Sequence, residues 1–408
     1  MSTLSKYNLI ENLIEQEEDG ESFFLGDLSQ IQQLYNQWME ILPQVEPFYA
    51  IESNPNPQLL DHLSRLNIGF CCASAGELAL ATDLETPREK ILYSNTCKGV
   101  SHLKYARDNG IRMMTFDNES EIFKIKQIIP DAEMIIRLSV EEFGSTYSLK
   151  EKFGVTLKDA KKLLQVCKNL AMNVIGVSFN VGSNCRNPDV FYDALRNCKS
   201  IFVYARDELD FNFSVIDIGG GFSSIDRESP TSPLLFEATA NTIKDALDEF
   251  FPEASIGGSL RVLAAPGHYF SETLFTLAVN IISKKVLSHD LQVISIDENI
   301  LQVEKIMYYI NEGFYSVLRC CKSGLIKCKP SAIYTDGKIH ILHDSLELVY
   351  KSIVWGPSYS EIDRLPGEIE LPNLQVGDWI VFENFGAYTM SGASNFSGFS
   401  TTKIHWMN

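Results

Sequence analysis

No run of apolar residues in this sequence approaches the length of a membrane span, so no spanning helix is expected. The N-terminus lacks a basic stretch leading into an apolar one, which argues against a secretion signal. Positive charge is scarce: 35 Lys and Arg face 53 Asp and Glu, for a formal net charge of −18. Phosphates attract basic faces, so this balance argues against nucleic acid and against anionic membrane as partners. It suits a basic protein partner, or simply a solvated acidic surface. The nine cysteines form no C-x-x-C pair, and Cys71, Cys72, Cys320 and Cys321 fall in or beside apolar runs. Reduced thiols and a cytoplasmic location are the expectation. There is no internal repeat, no low-complexity tract and no metal-ligand cluster.

What is present is a chain able to build a large core. Its 408 residues are 45% hydrophobic, which suggests two domains. Short apolar runs recur with helical stretches between them: "FYAIES", "IGFCCAS" (68–74), "ILYSN" (91–95) and "MMTFD" (113–117) come first. "MIIRLSV" (134–140), "VIGVSFNVG" (174–182), "FSVIDIGGG" (213–221) and "LRVLAAPG" (260–267) follow. Near-continuous apolarity marks strands buried on both faces. "HLKYARDNG" (102–110) ends on a helix stop, and "DAKKLLQVCKNLAM" (159–172) has one broad apolar face. Eight strands alternating with helices predict a (β/α)8 barrel over 28–270.

Beyond residue 270 the texture changes. "FTLAVNIISKKV" (275–286), "IMYYINEGF" (306–314), "SAIYTDGKIHILHD" (331–344), "SIVWG" (352–356) and "DWIVFENFGAYT" (378–389) read as strands. Asp336-Gly337 between two β-rich runs signals a hairpin. A β domain over 271–408 is expected, joined by the N-terminal segment 1–27.

Two stretches bear on chemistry. "PFYAIESN" (47–54) places Glu52 at the C-terminal end of a strand, where barrels carry their functional groups. "IDIGGGF" (216–222) follows the seventh strand with three glycines, a loop that bares backbone N–H groups and can cradle a phosphate.

Together with "NTCKGVSHLKYARDNGIRMMTFDNE", "KFGVTL", "WGPS" and "VGDWIVFENFGAYT", these motifs resemble the eukaryotic ornithine decarboxylases, from about Phe23 to Trp406. That family consists of fold-type III pyridoxal-phosphate enzymes, so the resemblance implies an alanine-racemase-like (β/α)8 barrel followed by a β-sandwich. It also implies where the chemistry should be. The family's cofactor lysine falls at Glu52, and a carboxylate forms no imine. Its aspartate in the second strand motif falls at Cys71, its ring-stacking histidine at Asn180 and the glutamate facing the pyridine nitrogen at Ala265. A phosphate-binding arginine falls at His268 and a substrate aspartate at Gly324. The catalytic cysteine and second substrate aspartate fall at Tyr359 and Ser360. Glu77, Arg137, Ser183, Gly219, Gly220, Gly221 and Tyr388 match the family and are a remnant of the cofactor site. The resemblance thus implies a pseudoenzyme without bound pyridoxal phosphate. A working decarboxylase of unusual substrate is the alternative, and it needs another group to anchor the cofactor.

Inactive members of this family include antizyme inhibitors. By resemblance, the antizyme-binding surface lies within 95–137, and Lys98, Lys104, Ala106, Glu121 and Lys124 are its candidate contacts. An active ornithine decarboxylase subunit, or a second copy of this chain, is the other partner the resemblance suggests. Lys152 with Asp363, Asp117 with Lys285 and Tyr315 with Phe396 resemble the family's dimer contacts.

Overall fold

The structure, a computed structural model, describes residues 3–140, 145, 151–225, 235–252, 260–288, 293, 303–324, 326, 328–342, 349–399 and 401–407. The chain divides into two compact units, Ser29–Ser271 and Met1–Leu28 with Glu272–Asn408. The first 28 residues give the latter unit a helix, α1 (Thr3–Gln16), and a strand, β1 (Phe23–Gly26).

In the unit Ser29–Ser271, helix α2 (Ile31–Ile41) precedes the strands β2 (Val45–Ala50), β3 (Gly69–Cys72), β4 (Ile91–Tyr93), β5 (Met113–Phe116), β6 (Glu133–Arg137), β7 (Asn173–Ser178), β8 (Val215–Asp217) and β9 (Arg261–Ala264). Each strand pairs in parallel with the next, and β2 pairs with β9, so the sheet closes into the expected barrel. Between the strands run α3 (Pro57–Arg65), α4 (Ala75–Asp83), α5 (Val100–Asp108), α6 (Glu119–Ile128), α7 (Leu157–Asn169), α8 (Asp189–Leu209) and α9 (Leu235–Phe250). The apolar runs are continuous because these strands bury both faces. One set, including Phe48, Cys71, Leu92, Met113, Ile135, Val215 and Leu263, packs together as the barrel interior.

Polar residues at the βα turns start the helices. Asn56 accepts the N–H groups of Gln58 and Leu59, and Ser74, Asn118 and Thr156 cap α4, α6 and α7 in the same way. Trp38 of α2 anchors the outer layer. Its ring lies 5.1 Å from Phe222, 5.3 Å from Phe236 and 5.2 Å from Tyr269, and its indole N–H donates to the Val45 carbonyl at 2.9 Å.

The other unit is a curled nine-stranded sheet. Its axis is β10 (Phe275–Ser288), which pairs antiparallel with β1 and with the four-residue strand Trp379–Phe382 along its first half. Its second half pairs with β11 (Val303–Ile310), after a register shift between Ile281 and Ser283. A bulge at that point lets one strand serve two faces. The hairpin Ala332–Thr335 to Lys338–Ile341 turns at Asp336 (φ +53) and Gly337 (φ +71), the pair of positive angles a two-residue turn needs. Residues 343 and 344 of the expected run lie outside the described residues. Several elements escape the sequence reading, among them β1 and the strand Ile369–Leu371. Helix α1 packs Tyr7, Ile10 and Ile14 onto Phe23, Ala278 and Trp379, and the C-terminal strand Lys403–Trp406 pairs in parallel with β1.

One expectation needs correcting. The thiols are not all free: Cys321 is bonded to Cys328, with Cα atoms 5.7 Å apart. A turn at Gly324 (φ +78) folds the chain back on itself and brings the two together. Among the described residues no helix is long and apolar enough to cross a membrane.

Because Trp38 contacts four aromatic rings from other segments, Trp38→Ala is expected to cost about 3–5 kcal/mol in chemical denaturation of the full chain. A loss below about 1 kcal/mol would show that the cluster repacks around the cavity.

Candidate functional site

The C-terminal ends of the barrel strands gather most of the residues singled out above. Glu52 follows β2 in a single turn, Ile51–Ser53, whose other side chains are buried while Glu52 itself is exposed. The turn is held firmly. Ser53 Oγ lies 2.8 Å from Ser271 Oγ, and the Tyr49 hydroxyl donates to the Asn54 carbonyl at 3.0 Å. The position is therefore well fixed, and only the side chain at its tip is unusual.

Glu77 sits in the first turn of α4. Ser74 accepts its N–H, and its carboxylate accepts the Ala73 N–H at 2.6 Å. This is close to a capping box, readable in the spacing Ser74-x-x-Glu77. Burial pushes the Glu77 carboxyl up to about 7, the Ala73 hydrogen bond opposes it, and the charge of Glu52 adds to the rise. Cys71, one residue before the end of β3, packs in the barrel interior. Burial drives its thiol well above the ordinary range, and the negative charges of Asp217, Glu52 and Glu77 reinforce the effect. Cys71 is thus held as a neutral thiol, the opposite of an activated nucleophile.

The sequence reading missed Asp217, the acid inside "VIDIGGG". A carboxylate within an apolar strand end was the available signal. It is buried and accepts from the Ser178 hydroxyl at 2.7 Å and the Gly219 N–H at 3.0 Å. Burial raises its pKa, while those two hydrogen bonds and Arg137 lower it. Gly219 (φ +67) is obligatory, since a Cβ there would lie 2.3 Å from the Phe179 carbonyl oxygen. The glycine loop is thus shaped from within: one of its amides serves Asp217, and the Gly219 carbonyl accepts from Ala265 N at 2.7 Å. Asn180 folds its amide oxygen onto Gly182 N at 2.8 Å. Arg137, at the end of β6, lies 4.9 Å from the Phe153 ring. Ser183 is half-buried in the loop after β7, and His268 is buried at the head of a short helix.

The remaining site residues belong to the other unit. Gly324 is exposed in its turn, and Tyr359 projects fully into solvent. Ser360 Oγ lies 3.1 Å from the Tyr315 hydroxyl, and Tyr388 adopts φ +57. Three residues expected at a dimer interface are engaged within the chain. Asp363 is buried and accepts from Phe314 N at 2.6 Å and Ser358 N at 2.9 Å, and Tyr315 stacks on Phe396 at 4.1 Å.

The partner surface needs a larger correction. Lys98 and Glu121 are not surface residues. Lys98 is 2% exposed and Glu121 1%, and they pair at 3.3 Å, with the Lys98 ammonium donating also to the Thr115 carbonyl at 2.5 Å. Burial pulls the Lys98 ammonium down to about 8 against the attraction of Glu121. Ala106 is fully buried in α5. Ala106 meets the needs of helix packing, and Lys98 and Glu121 meet each other's, because a buried charge must be paired. Only Lys104, exposed, and Lys124, part-exposed and 2.6 Å from Glu121, reach the surface.

Residues 28–272 match the family model described as pyridoxal-dependent decarboxylase, pyridoxal binding domain. The chain belongs to that family. It is 38% identical to antizyme inhibitor 2 of Xenopus laevis over 395 residues, which cover 97% of this chain and 83% of that protein. It is 37% identical to the ornithine decarboxylase of Mus musculus over 400 residues, 97% of this chain and 82% of the enzyme. The crystal structure of Paramecium bursaria Chlorella virus arginine decarboxylase bound to agmatine matches with a TM-score of 0.86 and 28% identity, covering 98% of this chain and all of that one.

The groups present fit the family's cofactor poorly. Pyridoxal phosphate is held through an imine to a primary amine, and Glu52 has none to offer. Ala265 has no acid to keep a pyridine nitrogen protonated, and the Gly219 amide already serves Asp217. Among the described residues no group of three His, Cys, Asp or Glu stands where it could hold a metal ion.

The raised pKa of Glu77 has a testable sign. Its stabilising contribution is full below its unfolded value and is lost as pH rises through about 7. Glu77→Gln keeps a neutral side chain at every pH. Wild type should therefore lose stability relative to Glu77→Gln between pH 5 and 8, by at most about 3 kcal/mol. Parallel stability curves for the two proteins would refute the shift.

Proposed function

We propose that this chain is a catalytically inactive member of its family that regulates polyamine synthesis by binding antizyme. The observation that carries the reading is Glu52, a carboxylate in a rigid turn where the resemblance places the cofactor lysine. No imine forms there, and a carboxylate beside a bound phosphate adds repulsion of about 4 kcal/mol for unit charges ~4 Å apart at a dielectric near 20. Ala265, Gly324 and Tyr359 remove further groups that decarboxylation would use. The relatives support the regulatory half: the matched proteins include antizyme inhibitor 2 of Xenopus laevis and antizyme inhibitor 1 of Rattus norvegicus, the latter 34% identical.

The purified protein should release no CO2 from ornithine and show no imine absorbance with added pyridoxal phosphate. Glu52→Lys alone should not restore turnover, since Asn180, Ala265, Gly324 and Tyr359 remain. Ornithine turnover above a mock preparation would end the inactive reading.

The antizyme contact is best sought on α5 and α6. Both helices follow a parallel strand and so run in the same sense round the barrel. Lys104 and Phe123, each the fifth residue of its helix, therefore stand at similar height. Phe123 is 45% exposed and Val100 50%. An exposed aromatic is of the residue class enriched in interface cores, and the lysine beside it suits a polar rim. Phe123→Ala and Lys104→Ala are expected to weaken antizyme binding by about 2–4 kcal/mol and to leave thermal stability unchanged. Lys98→Ala should instead destabilise the fold by about 3–5 kcal/mol, because it removes the buried one of the two cations paired with Glu121 and leaves only part-exposed Lys124. No binding by wild type at micromolar concentration would sink the antizyme reading. Undiminished binding by both surface variants would move the contact off these helices.

A further inference from the structure

The unit containing residues 272–408 has one covalent link that the functional reading does not use. The short helix Arg319–Lys322 runs into the turn at Gly324, and Cys321 is bonded to Cys328. Cys321 is 5% exposed, whereas Cys328 is half-buried beside exposed Lys329. A reductant from solvent therefore reaches the Cys328 sulfur more readily. Cys320 is the only other cysteine of that unit. It is buried and turned the other way, its thiol donating to the Val317 carbonyl at 3.3 Å.

The bond lies next to a polar tie. The Lys322 ammonium donates to the Ile362 carbonyl at 3.5 Å and lies 5.5 Å from the Phe314 ring. Ile362 belongs to the loop 357–363, which carries fully exposed Tyr359. The far end of that loop is anchored by buried Asp363, through the backbone N–H groups of Phe314 and Ser358. Lys322 thus ties the helix that holds Cys321 to Ile362, at the Asp363 end of the Tyr359 loop.

We propose that Cys321 and Cys328 are a reversible dithiol–disulfide clasp, and that the closed bond holds Lys322 against the Tyr359 loop. Opening consumes a dithiol reductant. Its thiolate bonds to the Cys328 sulfur, the S–S bond breaks, and Cys321 leaves as a thiolate that takes up a proton. The reductant's second thiol then displaces Cys328, which is protonated in turn. Two electrons and two protons pass to the protein, and the reductant becomes a disulfide. The cysteines are only seven residues apart, so the bond withdraws less chain entropy from the unfolded state than a long-range bond would. The surrounding sheet has its own strand pairing, and opening the clasp loosens the helix and the loop without unfolding the unit.

The full chain, equilibrated in graded ratios of reduced to oxidised dithiothreitol, acid-quenched and alkylated, tests the clasp by peptide mapping. Cys321 and Cys328 are expected to become alkylatable together in one two-electron transition. Hydrogen exchange should rise several-fold in 319–324 and 358–363 across that transition. Cys328→Ser should exchange at the faster rate at every ratio. Lys322→Met should speed exchange in 358–363 and leave the redox transition where it was. Full alkylation of both cysteines at the most oxidising ratio, or a bond from Cys321 to Cys320, overturns the clasp. Unchanged exchange in 358–363 while the bond opens overturns its action on the loop.

Discussion

Everything in the barrel depends on one closure, the pairing of its first strand with its last. Val45, Glu46 and Pro47 lie opposite Val262, Leu263 and Ala264, and the seam is clamped by a forked ion pair. Arg261 reaches both oxygens of Glu46, at 2.9 and 3.0 Å, and Lys90 joins the same carboxylate at 3.0 Å. Burial alone would raise the Glu46 pKa, but the hydrogen bonds from Arg261 and Lys90 outweigh it and hold the carboxyl below its ordinary range. A part-buried bidentate pair of this kind fixes register as much as it stabilises. It sits at the N-terminal end of the strands, away from the rim where Glu52, Cys71, Arg137, Asp217 and Ala265 gather.

That separation lets such a barrel keep its shape whichever side chains its rim carries. The geometry of the rim is set by groups that take no part in cofactor chemistry. Ser53 with Ser271 and Tyr49 with Asn54 hold the turn of Glu52, and Asp217 with Ser178 holds the glycine loop. A lysine at position 52 would contribute nothing to these contacts. Its absence therefore costs the fold little. The carboxylate in its place makes the rim more acidic instead, and adds a minor share to the rise in the Glu77 pKa that burial mainly causes.

Periodicity sufficed for the barrel, because strands buried on both faces are written as unbroken apolar runs. Helix α1 and the strand Lys403–Trp406 were harder to see for the same physical reason: both depend on partners far away in sequence. Tyr7, Ile10 and Ile14 make sense only once Phe23 and Trp379 are beside them. That position 52 carries no amine and position 265 no acid is legible in the sequence, since it is a property of composition. Burial could not. Asp217 lay unnoticed inside an apolar strand, and Lys98 and Glu121 looked like surface charges because ionisable residues usually are. The Cys321–Cys328 bond was equally hidden, since it depends on a turn at Gly324 that the sequence does not announce.

The buried Lys98–Glu121 pair changes how the family-like texture of 95–137 should be understood. A paired charge inside a helix layer is demanded by its partner, so the two must change together or not at all. Similarity to the family at those positions therefore carries no information about any binding partner. Glu121 also ties three features together: its N–H is capped by Asn118, and its carboxylate holds both Lys98 and the part-exposed Lys124. Lys124 is thereby anchored from beneath. Its ammonium is fixed at the surface by an internal carboxylate, so a partner meeting it would lose little side-chain freedom on binding. Phe123, its neighbour in the chain, needs no such anchor, because its rigid ring has little entropy to lose. Of the residues in this segment, these two and Lys104 are where selection for a partner and selection for the fold can be told apart.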